Sequence, residues 1–241
     1  MFKYLFPFIF ILAGCTSQTV VSVATVPMES HFITFEASHG FEIFYDSGAT
    51  KTIQEYYETG SVVLNGSYFG WTTSGEYYPA WLWIEHHILQ HPIEQHDANI
   101  SHMVFYRDYG NSISIIPNSE SKLEIPRCLD NRAGCIAFQA WPLVLSGNIL
   151  QDFGFSWHAN EPHERTLIWK TQSGKIFFFI STTPITLRDA GDIILKDSRF
   201  TIDPITVLNL DGWPSTAFFD GVDWFRRDKK LPIIFRIKKS H

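Results

Sequence analysis

Short runs of alternating or fully apolar residues, separated by Gly, Asn, Asp and Ser, dominate this chain. Runs of this β-type occur at Phe32 to Glu36, Phe41 to Tyr45, Ser61 to Leu64, Ile113 to Ile116, Ile136 to Phe138 and Leu143 to Leu145. Further ones follow at Thr166 to Trp169, Lys175 to Ile180, Thr206 to Leu210, Thr216 to Phe219 and Ile233 to Ile237. Their length and β-branched or aromatic content predict strands. Asp46-Ser47-Gly48, Ser146-Gly147-Asn148 and Ser173-Gly174-Lys175 read as turns between them. Helical spacing is rare. Thr52 to Glu58 suits one short helix, and Thr186 to Lys196 a better one. There Thr186 can cap, Asp189 follows three residues later, and Leu187, Ala190, Ile193 and Ile194 share a face. The order strand 175–180, helix 187–196, strand 206–210 predicts a β-α-β unit with parallel strands and a right-handed crossover. The expected fold class is therefore α+β: one strand-rich domain with a mixed sheet and few helices, its site at the strand end before Asp211.

The first residues follow a different pattern. Lys3 is followed by an apolar stretch from Tyr4 to Leu12, broken only by Pro7. It is shorter than the roughly 20 apolar residues a bilayer span requires. It fits a secretory signal. Its ending, Leu12-Ala13-Gly14-Cys15, resembles the bacterial lipobox. That resemblance implies removal of residues 1–14, lipid on Cys15 and, with Thr16 next, an outer-membrane anchor facing the periplasm. Residues 15–30 then read as a tether and 31–241 as the folded domain.

An aromatic content of 16% against 18% charged residues excludes a disordered chain. The net charge of -6 argues against nucleic acid as a partner. The basic group Arg226-Arg227 with Lys229-Lys230 reads as a solvated turn. Cys128 and Cys135 have the choice of a small disulfide loop in an oxidising compartment or two free thiols. A metal centre is not expected. His86, His87, His91, His96 and His102 lack an H-E-x-x-H arrangement, and Pro92 ends any helix carrying them. No cofactor is called for, and the oligomeric state is left open.

Four motifs stand at the ends of expected strands: Asn65-Gly66-Ser67-Tyr68-Phe69, Pro142-Leu143-Val144, Arg165-Thr166, and Leu208-Asn209-Leu210-Asp211-Gly212 with Ser215 and Thr216 beyond. In this order, over roughly residues 60–220, they resemble the phosphodiester glycosidase family. The resemblance implies an envelope hydrolase acting on a sugar phosphodiester or related glycan linkage. The chemistry fits the residues. A phosphodiester leaving group needs little protonation, so the demands are a cation for phosphate and a carboxylate near the anomeric carbon. Arg165 offers a planar fork for the first. Asp211 can act as base or charge stabiliser, and Asn65 completes the catalytic candidates. Gly66, Gly212, Ser215, Thr216 and His163 are candidates for ligand contact, with His158 nearby.

Each has a plainer reading. Asn65-Gly66 and Asp211-Gly212 are ordinary turn dipeptides, and Arg165 has Glu161 and Glu164 as surface partners. Tyr77, Tyr78, Trp81 and Trp83 suit packing as well as sugar stacking. Trp213 and Trp169 stand where the family has glycines. They favour an alternative: a glycan-binding or exopolysaccharide-assembly lipoprotein without catalysis.

Overall fold

The computed structural model describes residues 32–37, 39–79, 83–85, 88–91, 102–107, 112–117, 124–130, 135–153, 157–198, 203 and 205–239. Cys15, the signal and the tether lie outside these residues. In chain order the strands are β1 (Phe32–Glu36), β2 (Phe41–Tyr45), β3 (Ser61–Asn65), β4 (Phe69–Trp71), β5 (Tyr77–Pro79), β6 (Trp83–Glu85), β7 (Ile88–His91), β8 (His102–Arg107) and β9 (Ser112–Pro117). They continue as β10 (Cys135–Ala140), β11 (Leu143–Ser146), β12 (Ile149–Leu150), β13 (Thr166–Thr171), β14 (Ile176–Ser181), β15 (Ile205–Asn209), β16 (Phe218–Phe219), β17 (Trp224–Phe225) and β18 (Ile233–Lys238). Helices α1 (Glu124–Asp130), α2 (Trp157–Asn160) and α3 (Leu187–Lys196) and a 3₁₀ turn at Ile53–Tyr56 complete the described elements.

Every expected strand has a counterpart, but the expected α+β class does not hold: neither the mixed sheet nor a parallel β-α-β unit forms, and the described residues are dominated by antiparallel sheets. Three sheets run in the orders β1-β14-β13-β15-β11-β12, β7-β6-β10-β8-β9 and β17-β16-β3-β18-β2, with a β4-β5 ribbon beside them. Neighbouring strands pair antiparallel throughout the described residues. The expected parallel pairing of β14 with β15 fails for a simple reason. A tight turn, with Thr171 N donating to Lys175 O and Gly174 at φ +92°, folds β14 straight back onto β13. β1 occupies the other edge of β14. With both edges taken, α3 carries the chain past β13, and β15 pairs with the far side of β13.

Helix α3 begins where its capping pattern places it. Thr186 Oγ1 accepts from Asp189 N at 3.0 Å, and Asp189 Oδ2 accepts from Thr186 N at 3.3 Å. Leu187, Ala190 and Ile194 pack on Leu167, Trp169, Phe177, Phe179 and Val207 of the first sheet. The alternate residues Ile168, Phe178, Ile180 and Leu208 face the core shared with the other sheets. Burial on both faces explains why Ile176 to Ile180 is unbroken apolar sequence instead of an alternating one.

Aromatic rings join the three sheets. Phe41 of β2 stacks on Tyr106 of β8 at 4.0 Å and meets Phe178 of β14 edge-on at 5.2 Å. Phe138 of β10 tilts against Phe235 of β18 at 5.4 Å. Each such pair adds about 0.5–1.5 kcal/mol beyond the area it buries. Cys128 and Cys135 are joined by a disulfide that ties α1 to β10, so the loop alternative holds and the free-thiol one does not.

Candidate active site

Beyond β15 the chain leaves the sheet but stays against the segment that enters β13. Leu210 N donates to Thr166 O at 2.8 Å and Trp213 N to Glu164 O at 3.1 Å. Gly212 makes this approach possible. A Cβ there would lie 2.8 Å from Glu164 O and 3.9 Å from both Cα and Cδ of Arg165. No side chain larger than hydrogen fits without moving backbone, so the pair Asp211-Gly212 sits directly on Glu164-Arg165.

Asn65 reaches the same place from the end of β3. Its Nδ2 donates to Asp211 O at 2.5 Å, while its Oδ1 accepts from Thr166 Oγ1 at 2.7 Å and from Ala217 N at 3.2 Å. The side chain is 1% exposed. It therefore acts as a clamp across β3, β13 and the 211–217 turn, with its amide committed to protein groups. Asn65 thus meets the Asp211 backbone, and the next residue, Gly212, lies against Arg165.

Gly66 does not form a hairpin turn. Its N–H donates to Ile233 O at 2.9 Å, and a Cβ would lie 2.2 Å from Ile233 Cγ2. Its amide is thus spent on β18, and the residue permits close strand packing. The Ser215 and Thr216 amides both turn back to Gly212 O, at 2.5 and 3.0 Å. Both residues are buried.

Asp211 is only partly exposed and lies deep among protein atoms. Desolvation raises its carboxyl to about 7, against the lowering effects of Ser215, the Gly212 amide and the charge of Lys229. It can therefore be protonated or ionised near neutral pH. Tyr68 stands beside both charges. Its hydroxyl donates to Trp141 O at 2.7 Å and bonds the Asn209 amide. Burial and then Asp211 raise its phenol, while Arg165 pulls the other way.

Arg165 is more enclosed than a surface ion pair would be. It is 4% exposed, with Nε donating to Ile185 O at 3.1 Å and Nη2 to Glu161 O at 2.7 Å. Desolvation lowers its pKa. Glu164 takes a different partner, Arg226, at 2.8 Å. The basic segment near residue 226 is accordingly no free solvated turn: Arg226 Nη1 and Lys229 Nζ both donate to Pro214 O, at 3.3 and 2.7 Å.

The rim is aromatic. His163 stacks on Trp213 with ring centres 5.5 Å apart and planes 15° from parallel, and Trp213 is 57% exposed. Trp169, by contrast, is 1% exposed and stacks on Phe177 at 5.4 Å beneath α3. It fills the core and does not reshape the site. Tyr77 packs edge-on against Phe69 within the β4-β5 ribbon, Trp83 lies in β6, and Trp81 lies outside the described residues. His91 ends a strand, not a helix; His86, His87 and His96 lie outside the described residues, as does the side chain of His158. Among the described residues no three His, Cys, Asp or Glu side chains are grouped to hold a metal ion.

Sequence reasoning missed Tyr68, Asn209, Arg226 and Lys229. Tyr68 and Asn209 lay inside quoted motifs and carried that much signal; Arg226 and Lys229 carried none.

No family model matches the chain, and no curated protein matches it in sequence. The fold is similar to that of a solved glycosidase. The catalytic domain of zebrafish N-acetylglucosamine-1-phosphodiester alpha-N-acetylglucosaminidase, auto-inhibited by its pro-peptide, matches with a TM-score of 0.55 and 11% identity, over 83% of this chain and 73% of that one. A hypothetical protein from Synechocystis matches with a TM-score of 0.49 and 9% identity, over 85% of this chain and 58% of that one. At 11% identity the likeness to the zebrafish domain is one of fold.

Proposed function

We propose that this protein is a hydrolase of sugar phosphodiesters or a related glycan linkage, anchored in a bacterial envelope through lipid on Cys15, at the outer membrane facing the periplasm. The observation that carries the reading is Asp211, whose carboxyl is raised to about 7 and whose backbone carbonyl is held by Asn65, in a turn whose next residue, Gly212, lies against Arg165. A carboxyl in that range is ionised enough at neutral pH to take a proton from water, or to steady positive charge at an anomeric carbon. Arg165 is a buried positive charge in the same region, and such a charge favours an anionic leaving group. The Tyr68 phenol feels the charges of both Asp211 and Arg165. Likeness to the zebrafish domain supports the fold part of this reading.

The test is release of sugar from a hexosamine 1-phosphodiester by the purified chain. Asp211→Asn is expected to lower turnover at least about 100-fold, the usual range for losing a general base, with the thermal transition retained. Turnover equal to the wild type would remove Asp211 from the mechanism.

One observation favours a second reading, a glycan-binding or assembly lipoprotein. Trp213 presents an open indole face braced by His163, a surface suited to sugar stacking. Glycan affinity retained in Asp211→Ala, with no turnover by the wild type, would select it.

A further inference from the structure

The turn from Arg226 to Lys229 brings two cations to one carbonyl oxygen. Arg226 Nη1 and Lys229 Nζ both donate to Pro214 O. Of these two cations, only Arg226 has a carboxylate within ion-pair reach among the described residues, Glu164 at 2.8 Å. Lys229 spends one of its three donors on Pro214 O, stays partly exposed, and lies beyond ion-pair distance of Asp211 while still feeling its charge. Two like charges held side by side cost energy that one carboxylate offsets only in part.

The backbone adds a second observation. Arg226 has φ +50°, the left-handed region that residues with a Cβ seldom occupy. The turn is nevertheless locked: Lys229 N donates to Arg226 O at 2.9 Å, and the Arg226 guanidinium lies 4.7 Å over the Phe225 ring. Strain of this kind persists where surrounding contacts over-determine it, and it concentrates at ligand clamps.

We propose that Lys229 is the residue that takes hold of the ligand's phosphate ester group, with Arg226 as the positioning residue that presents it. This rests on the hydrolase reading for the identity of the ligand, but assigns the anion contact to a segment outside every motif of that reading. Arg165 fits the direct contact less well, because backbone carbonyls already take its Nε and Nη2 and it is nearly sealed. The Lys229 ammonium keeps two donors for phosphate oxygens. Desolvation and then Arg226 lower its pKa, while the charges of Asp211 and Glu164 oppose them. Lys229 Nζ is held on the carbonyl of Pro214, the residue after Trp213, so the ammonium and the exposed indole belong to the same turn.

The experiment is calorimetric titration of the full chain, purified in detergent, with a hexose 1-phosphate and, separately, with the uncharged methyl glycoside. Lys229→Met is expected to weaken the phosphate ester about 10- to 100-fold, the range of a charge-assisted hydrogen bond, and to leave the methyl glycoside within twofold. Lys229→Arg is expected to restore most of the loss. Equal binding of the phosphate ester by wild type and Lys229→Met, equal loss of both ligands, or no wild-type binding of the phosphate ester would each overturn the assignment. The two readings fail separately. Lys229-dependent binding without diester turnover sinks the hydrolase alone, and turnover with no dependence of binding on Lys229 sinks this inference alone.

Discussion

Removing the Asn65 side chain tests whether one buried amide holds the site together. Asn65→Ala strips partners from the Asp211 carbonyl, the Thr166 hydroxyl and the Ala217 amide, which Asn65 now meets at 2.5, 2.7 and 3.2 Å. A net hydrogen bond contributes about 1 kcal/mol, and an orphaned buried polar group costs about 1–3 kcal/mol. Thr166 is 0% exposed, so water cannot easily replace the lost bond. Together the three losses should destabilise the fold by about 3–6 kcal/mol, a large share of a typical stability of about 5–15 kcal/mol. With a urea m-value of about 2–3 kcal/mol/M the unfolding midpoint should fall by about 1–3 M. Asn65→Asp is the matched control. It keeps the shape but sets a carboxylate oxygen where Nδ2 donates, facing the Asp211 carbonyl, so its loss should be at least as large. A midpoint drop under about 0.3 M on the same m-value scale, in either variant, would refute the clamp.

Two further outcomes follow from other parts of the molecule. Because the Asp211 carboxyl is raised from 3.8 to about 7, the native protein binds more protons than the unfolded chain between those values. Its contribution is therefore present below about pH 4 and lost as pH rises through about 7. Asp211→Asn lacks this dependence, so its melting temperature should gain on the wild type from pH 5 to pH 8; a gap that stays constant would contradict the desolvated carboxyl. Thr186→Ala removes the cap of α3 seen in the bond from Asp189 N to Thr186 Oγ1, and denaturant titration should register a loss of about 1 kcal/mol.

Part of the site was legible in sequence because its motifs sit where strands end. Asn65, Arg165 and Asp211 could be named since each follows or opens an apolar run, and turn chemistry there leaves a mark. Their roles were less legible. Asn65 looks like half of a turn dipeptide, yet its Nδ2 is tied to a carbonyl 146 positions away. Arg165 looks exposed beside Glu161 and Glu164, yet Ile185 O and Glu161 O enclose it. Lys229 sat in a run of charges whose pattern is that of any solvated turn, and only the fold brings it to Pro214 O.

Side-chain pattern alone located many of the extended stretches, several turns and the start of α3, but not β4 to β8, β12 or β17. Those features depend on side-chain period and on φ and ψ preferences within a few residues, as at Gly147 and Asn148, both left-handed in the β11-β12 hairpin. Long-range packing set which strand edges were already occupied, and so made β15 the partner of β13 instead of β14. It also decided which tryptophan went to the core and which to the rim, since burial depends on what packs opposite. Desolvation and the distances between charges arise only when remote segments meet, and these set the Asp211 carboxyl near neutrality.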